Sequence, residues 1–153
     1  MSPETIPVIT LWQPYASLIF AGRKTFETRS FAYPAKYHGK RIAIHAAARF
    51  APARLLEGAL HELCMDEFGC SYDQTLPRSA ILGTVLLTNW FSTDDSDRRP
   101  QVGADDLAAG DWSDGRFAWE LSEPKSLAVP LTWKGSQGWR SMPAETIAAA
   151  IAA

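Results

Sequence analysis

The chain is 153 residues long, 46% hydrophobic and 21% charged, with a formal net charge of −2. That is the profile of an ordinary soluble protein of one domain, residues 1–153, long enough to bury a real core. No apolar run approaches a membrane span, Met1–Glu4 lacks the features of a signal peptide, and two cysteines make no disulfide framework, so cytoplasm is the expected compartment.

Val8 to Leu11 is a short apolar run that predicts a strand. Pro14 suits the start of a helix with Ala16, Leu18, Ile19 and Phe20 on its apolar face, and Gly22 stops it. Thr25 to Arg29 predicts a second strand, with Thr25, Glu27 and Arg29 on one face and Phe26 and Thr28 on the other. Lys24, at the turn into that strand, is placed to reach the face of Glu27. Phe31 to Gly39 is turn-like, punctuated by Pro34 and Gly39. Arg41 to His45 alternates as a half-buried strand does, with Ile42 and Ile44 inward and Arg41 and His45 opposite.

Pro52 to Phe68 is the clearest helix, with Leu56, Leu60 and Leu63 at helical spacing and Gly69 as its stop. A turn-rich stretch follows. Ala80 to Phe91 predicts a long strand bent at Gly83. Asp94 to Pro100 is charged and expected to be mobile, and Ala104 to Ala109 holds one or two helical turns. Phe117–Leu121 and Leu127–Val129 read as separate strands, Lys134–Gly138 as a loop and Pro143–Ala153 as a terminal helix. Five to seven strands with two or three helices and irregular connections give an α+β fold, a small barrel rather than a doubly wound sheet.

The charge is unevenly spread. Arg23 to Arg54 holds eight basic residues and one acid, Glu27, a segment charge of +7 that leaves −9 for the rest. Such a segment suits a local polyanion site, or a solvated face paired with acids elsewhere in the fold. Trp12 and Tyr15 lie close by in sequence. An aromatic ring beside cations can stack an unpaired base while the cations hold phosphates, or it can belong to the core.

Several residues carry possible chemistry. Lys24 and Glu27 could act as nucleophile or base with an acid partner, or form a structural ion pair. His45 titrates near neutrality and is either a general base or a hydrogen-bonded strand residue. Lys134-Gly135-Ser136-Gln137-Gly138 offers backbone N–H groups, a hydroxyl and an ammonium for an anion, or is a plain turn; it is not a Walker loop. His61, Cys64 and Cys70 could share a metal, though no fourth ligand is evident, and buried free thiols are the simpler reading.

Taken in order, these pieces resemble the ASCH domain, the activating-signal-cointegrator homology family related to the PUA fold. The likeness begins at Ile9-Thr10-Leu11-Trp12-Gln13-Pro14-Tyr15-Ala16-Ser17-Leu18-Ile19. It continues through the signature Gly-x-Lys-x-x-Glu-x-Arg, here Gly22, Lys24, Glu27 and Arg29, and through Gly39–Ala47. It resumes at Ala80–Val85, Phe117–Leu121 and Lys134–Trp139, leaving 69–79 and 92–116 unassigned. The resemblance implies a PUA-like β-barrel with flanking helices and a cleft carrying the signature residues. It further implies a free-standing bacterial-type member that binds single-stranded RNA or a nucleotide-like ligand. Arg23, Lys24, Arg29, Lys40 and Arg41 would neutralise phosphates, Trp12 would stack, and His45, Lys134 and Ser136 would complete the binding set. Some relatives look like metal-assisted ribonucleases, which would make Lys24 and Glu27 catalytic, with Mg²⁺ held largely through water. A shorter subgroup hydrolyses amides of modified cytidine with a signature lysine, but has threonine where this chain has Glu27. Larger eukaryotic relatives imply a third reading, an interaction module without chemistry.

Overall fold

The computed structural model describes residues 4–152; the expectations for Met1–Pro3 and for Ala153 lie outside them. Among the described residues six strands form one mixed sheet, in the order β2-β5-β4-β3-β1-β6. They are β1 (Thr5–Gln13), β2 (Phe26–Arg29), β3 (Arg41–Phe50), β4 (Ala80–Ser92), β5 (Phe117–Thr132) and β6 (Arg140–Pro143). β1 and β3 run parallel with Thr10 beside His45, and the other neighbours are antiparallel. Five α-helices accompany them, more than the two or three expected: α1 (Tyr15–Phe20), α2 (Gly58–Phe68), α3 (Tyr72–Thr75), α4 (Ala104–Ala108) and α5 (Ala144–Ala152). None is long and apolar enough to cross a membrane.

The central strands are buried on both faces, which is why they read as apolar runs rather than clean alternations. On one face Ile9, Leu11, Ile42, Ile44, Leu82, Val85, Leu87 and Trp119 pack with Ala16 and Ile19 of α1. On the other, Val8, Ala43, Ile81 and Leu127 pack with Met142 and Ile147, the latter from α5. A third cluster joins Leu60, Leu63 and Cys64 of α2 and Tyr72 of α3 to Leu18 and to Ala109, just past α4.

The α+β class stands, but the sheet is not closed into a barrel: β2 and β6 are its free edges. Curvature comes from irregular pairing. The β4–β5 register shifts between Ile81 and Gly83, Thr84 and Leu86, and Leu87 and Asn89. Each extra residue bends its strand and adds twist. The same irregularities let β5 run unbroken from Phe117 to Thr132, where the sequence suggests two strands. The helix expected over Pro52–Phe68 starts only at Gly58, after a 3₁₀ turn at Ala53–Leu55, because Gly58 takes a positive φ of 60°. The 94–100 segment is a turn: Asp95 Oδ1 accepts from the amides of Asp97 and Arg98, and Asp94 accepts from that of Gly115.

Gly83 sits where α1 presses into the bend of β4. A Cβ there would lie 2.3 Å from the Lys125 carbonyl oxygen and 2.6 Å from Phe20 Cε1. Gly83→Ala is expected to destabilise the fold by about 1–3 kcal/mol through this overpacking, read as a lower urea midpoint. An unchanged midpoint would mean that α1 can retreat without cost.

Candidate functional site

The signature residues are positioned by the end of α1. The amides of Arg23 and Lys24 both donate to Leu18 O, at 3.0 and 3.1 Å, and Gly22 supplies a φ of 79°. This tight reversal sends the Lys24 side chain inward, where the residue is 2% exposed. Its Nζ lies 3.3 Å from Glu27 Oε1, donates to Ala109 O at 2.6 Å, and sits 5.3 Å from the Tyr15 ring centre. Arg29 Nε donates to Glu27 Oε2 at 2.8 Å, so both carboxylate oxygens are engaged.

Arg29 then reaches across the open side of the sheet. Its Nη2 donates to Thr10 O on β1 at 3.3 Å. β6 pairs β1 only from Thr5 to Val8, which leaves the Thr10 carbonyl without a β6 partner. The Arg29 guanidinium also lies 5.8 Å from the Trp119 ring centre. A chain of three charges therefore bridges the gap that strand pairing leaves open.

Thr10 also anchors the other predicted group. Its hydroxyl is 3.0 Å from His45 Nδ1, and His45 Nε2 is 2.6 Å from Trp133 O. A carbonyl can only accept, so Nε2 carries the proton and Nδ1 accepts from Thr10. His45 is 2% exposed; burial lowers its pKa against the opposing bond to Trp133, and the ring is held neutral. Gly135 lies flat on this pair, since a Cβ there would be 2.4 Å from His45 Nδ1 and 2.8 Å from Thr10 Oγ1. The 134–138 loop thus passes from His45 on one face of β1 to Trp139, which packs with the opposite core. Ser136 accepts from Arg140 Nε, and Lys134 is exposed.

Around that loop the structure assembles residues that the sequence did not single out. Trp139 stacks on Trp119 at 5.8 Å and 12°, and Tyr37 leans on Trp139 at 4.7 Å. Lys36 lies 5.2 Å from the Tyr37 ring centre. Lys36 therefore flanks the Tyr37–Trp139–Trp119 aromatic run at one end and Arg29 at the other, with exposed Lys134 and Arg140 in the adjoining chain. Lys36 was visible only as part of a charge count and Trp139 only as the end of a motif; Arg140 had no signal. Trp12, two residues past Thr10 on the same strand face, is 41% exposed.

Other predicted residues lie elsewhere. Arg23 is held by Asp105 at 2.8 Å, Asp66 at 3.0 Å and Glu67 at 3.1 Å. Beside it, Asp106 accepts from the Thr25 amide and hydroxyl and from the Phe26 amide. Arg41, at the start of β3, donates to Thr84 Oγ1 and Glu123 O, with exposed Lys40 next to it. Cys64 is buried and its thiol is pushed up to about 11, but Cys70 is exposed, against the expectation of two buried thiols. His61 Nδ1 lies 2.8 Å from the Tyr72 hydroxyl. Among the described residues no three His, Cys, Asp or Glu side chains gather as a metal site. Glu27 has no free oxygen for Mg²⁺, so the signature residues do not fit a metal centre as they stand.

Burial raises the pKa of Glu27, but Lys24 and Arg29 outweigh it and hold the carboxyl below its ordinary 4.5. A carboxyl with a lowered folded-state pKa contributes stability that is present above the unfolded value and lost as pH falls through the folded one. Wild type should therefore lose stability in acid below about pH 4.5, the ordinary value, as Glu27 takes up its proton. Glu27→Gln leaves two cations unpaired and should cost about 3–5 kcal/mol at neutral pH. It should also flatten the acid limb of a stability–pH curve; parallel curves for the two proteins would contradict the pairing.

The comparisons agree on one family. The family model described as the ASCH domain matches residues 9–129. A comparison with curated proteins finds no match. The ASCH structure from Zymomonas mobilis is similar at 19% identity and a TM-score of 0.55, over 91% of this chain and 88% of that one. A serine-to-alanine variant of the Zymomonas mobilis protein is similar at 17% identity and a TM-score of 0.53, over 95% and 94% of the two chains. These likenesses carry the fold, and the family match runs from Ile9 in β1 to Val129 in β5, taking in α1 and the signature residues but neither the 134–139 loop nor β6. The chain belongs to the ASCH domain family.

Proposed function

We propose that this protein binds single-stranded RNA along the surface that carries Arg29, Tyr37, Trp139 and the 134–138 loop, with Trp12 exposed two residues along β1 from the Thr10 carbonyl that Arg29 reaches. The observation that supports this best is the aromatic run Tyr37–Trp139–Trp119, with Lys36 over Tyr37 and Arg29 over Trp119. Among the described residues, Lys36, Lys134 and Arg140 form no ion pair. Unpaired cations beside aromatic faces suit phosphates and unstacked bases together. The phosphate track is thus reassigned: partly exposed Arg29 and exposed Lys40 stay in it, and Lys36, Lys134 and Arg140 join it; Arg23, held by three carboxylates, Arg41, tied to Thr84 and Glu123 O, and buried Lys24 leave it.

Lys24 and Glu27 act through Arg29 as positioning residues. A ribonuclease or amidohydrolase using Lys24 would need that ammonium uncovered, whereas here Ala109 O caps it and Glu27 pairs it. Binding is therefore the reading that the geometry favours over hydrolysis.

Anisotropy of a labelled 12-nucleotide single strand, titrated at several salt concentrations, tests the site. Affinity should fall steeply with salt, and Lys134→Ala should reduce the log–log slope by about 0.7, one phosphate contact on a single strand. Trp12→Ala should weaken binding by about 1–3 kcal/mol if a base stacks there. Arg41→Ala should leave the slope unchanged. A salt-independent affinity, or equal effects of Lys134→Ala and Arg41→Ala, would remove the proposal.

A further inference from the structure

Between the 94–102 segment and the outer strands lies a cavity of about 220 Å³, open to solvent and lined by Phe26, Phe91, Arg98, Gln101, Val102 and Glu120. Phe26 alternates with Glu27 along β2, so the cavity is on the opposite face of that strand from the signature carboxylate. Its floor is apolar. Phe26 and Phe91 meet edge to face at 5.5 Å and 80°, and Trp112 backs Phe26 at 5.7 Å.

Its rim is charged. The Arg98 guanidinium lies over the Phe91 ring, 4.7 Å from its centre. Glu120 Oε1 accepts from Thr88 Oγ1 at 2.7 Å, and Oε2 faces Arg98. Arg98 Nη2 stands 3.6 Å from that oxygen, whereas a closed guanidinium–carboxylate hydrogen bond is about 2.7–2.9 Å. The two side chains are 39% and 36% exposed, so solvent and small solutes reach both. The pair is a donor and an acceptor held side by side from behind, each with bonding capacity left.

Size, shape and charge together select the ligand. The volume is below the about 300–1,000 Å³ of drug-sized pockets, which suits a single ring. The phenyl floor suits a flat one. A carboxylate would satisfy Arg98 but face Glu120, and an ammonium would satisfy Glu120 but face Arg98. A neutral edge that carries C=O beside N–H satisfies both. We infer that this cavity binds a small flat cyclic amide, whose carbonyl oxygen accepts from Arg98 and whose adjacent N–H donates to Glu120 Oε2 while the ring rests on Phe26 and Phe91. The inference stands independently of RNA binding.

2-Pyridone, a simple ring of this class, titrated into the ¹⁵N-labelled protein tests this. N-methyl-2-pyridone is the control: it keeps the ring and the carbonyl and lacks the N–H. 2-Pyridone is expected to move the backbone amide resonances of Arg98, Gln101, Val102 and Glu120 saturably. The N-methyl compound should bind about 10–100-fold more weakly, the worth of a hydrogen bond to a charged group. Glu120→Ala should bring 2-pyridone down to the affinity of the N-methyl compound, and Arg98→Ala should weaken both compounds, since both keep the carbonyl. The ligand comparison is made on wild type, so it decides the matter whether or not a variant folds. Equal affinity for the two compounds would mean that the apolar floor alone binds, and overturns the inference. So does the lack of a saturable shift at these four residues with millimolar 2-pyridone.

Discussion

The chain of charges from Lys24 through Glu27 to Arg29 and on to Thr10 is the interaction on which the rest of this structure depends. A six-stranded sheet bent by repeated bulges comes close to closing, yet β2 and β1 are not joined by backbone hydrogen bonds. Arg29 spans that gap with one guanidinium, donating to Glu27 on its own strand and to the Thr10 carbonyl on the other. Glu27 could not be buried beside apolar walls without both cations, since the desolvation of a lone carboxylate exceeds what one weak pair returns. The triad therefore works as a unit: each member is tolerable only because the others are present.

The unit fixes more than the β2 edge. Lys24 donates to Ala109 O, which fastens the segment after α4 against the signature turn, and Asp106 clamps the amides of Thr25 and Phe26 from the same side. On the far side, Thr10 passes the constraint to His45 and so to the 134–138 loop, where glycine at 135 is the residue that the close approach permits. Two segments distant in sequence are thus referenced to one strand position. Their placement rests on buried polar contacts, which are more directional than apolar packing.

Much of this was legible in the sequence, though unevenly. Alternation on Thr25–Arg29 placed Glu27 and Arg29 on one face, and the Gly22 turn brought Lys24 to them; all three converge as their spacing implies. The apolar runs at Val8–Leu11 and Ala80–Phe91 gave the central strands. The basic segment misled, because closeness in sequence is not closeness in space: Arg23 turns outward to acids from α2 and α4, while Arg41 is tied to Thr84 of β4 and to the Glu123 carbonyl of β5. Closure could not be read either, since it depends on where bulges fall in a pairing between strands some 40 residues apart. Trp139 and Lys36 come together only through tertiary packing on Tyr37, and no local pattern announces that.

A buried lysine beside a glutamate invites a catalytic interpretation, and the same geometry argues for a different one. A nucleophilic or basic lysine needs a free lone pair and a path for the substrate. Here the Glu27 carboxylate and a backbone carbonyl occupy the approach to Nζ. What the pair does secure is the orientation of Arg29, whose guanidinium has its Nε and Nη2 committed inward and is still partly exposed. A cation held from behind in this way loses little conformational freedom when it meets an anion, so the ordering cost of binding is met in folding rather than at the encounter. The signature that looks like an active site in sequence is, in the folded protein, a buried frame that fixes Arg29.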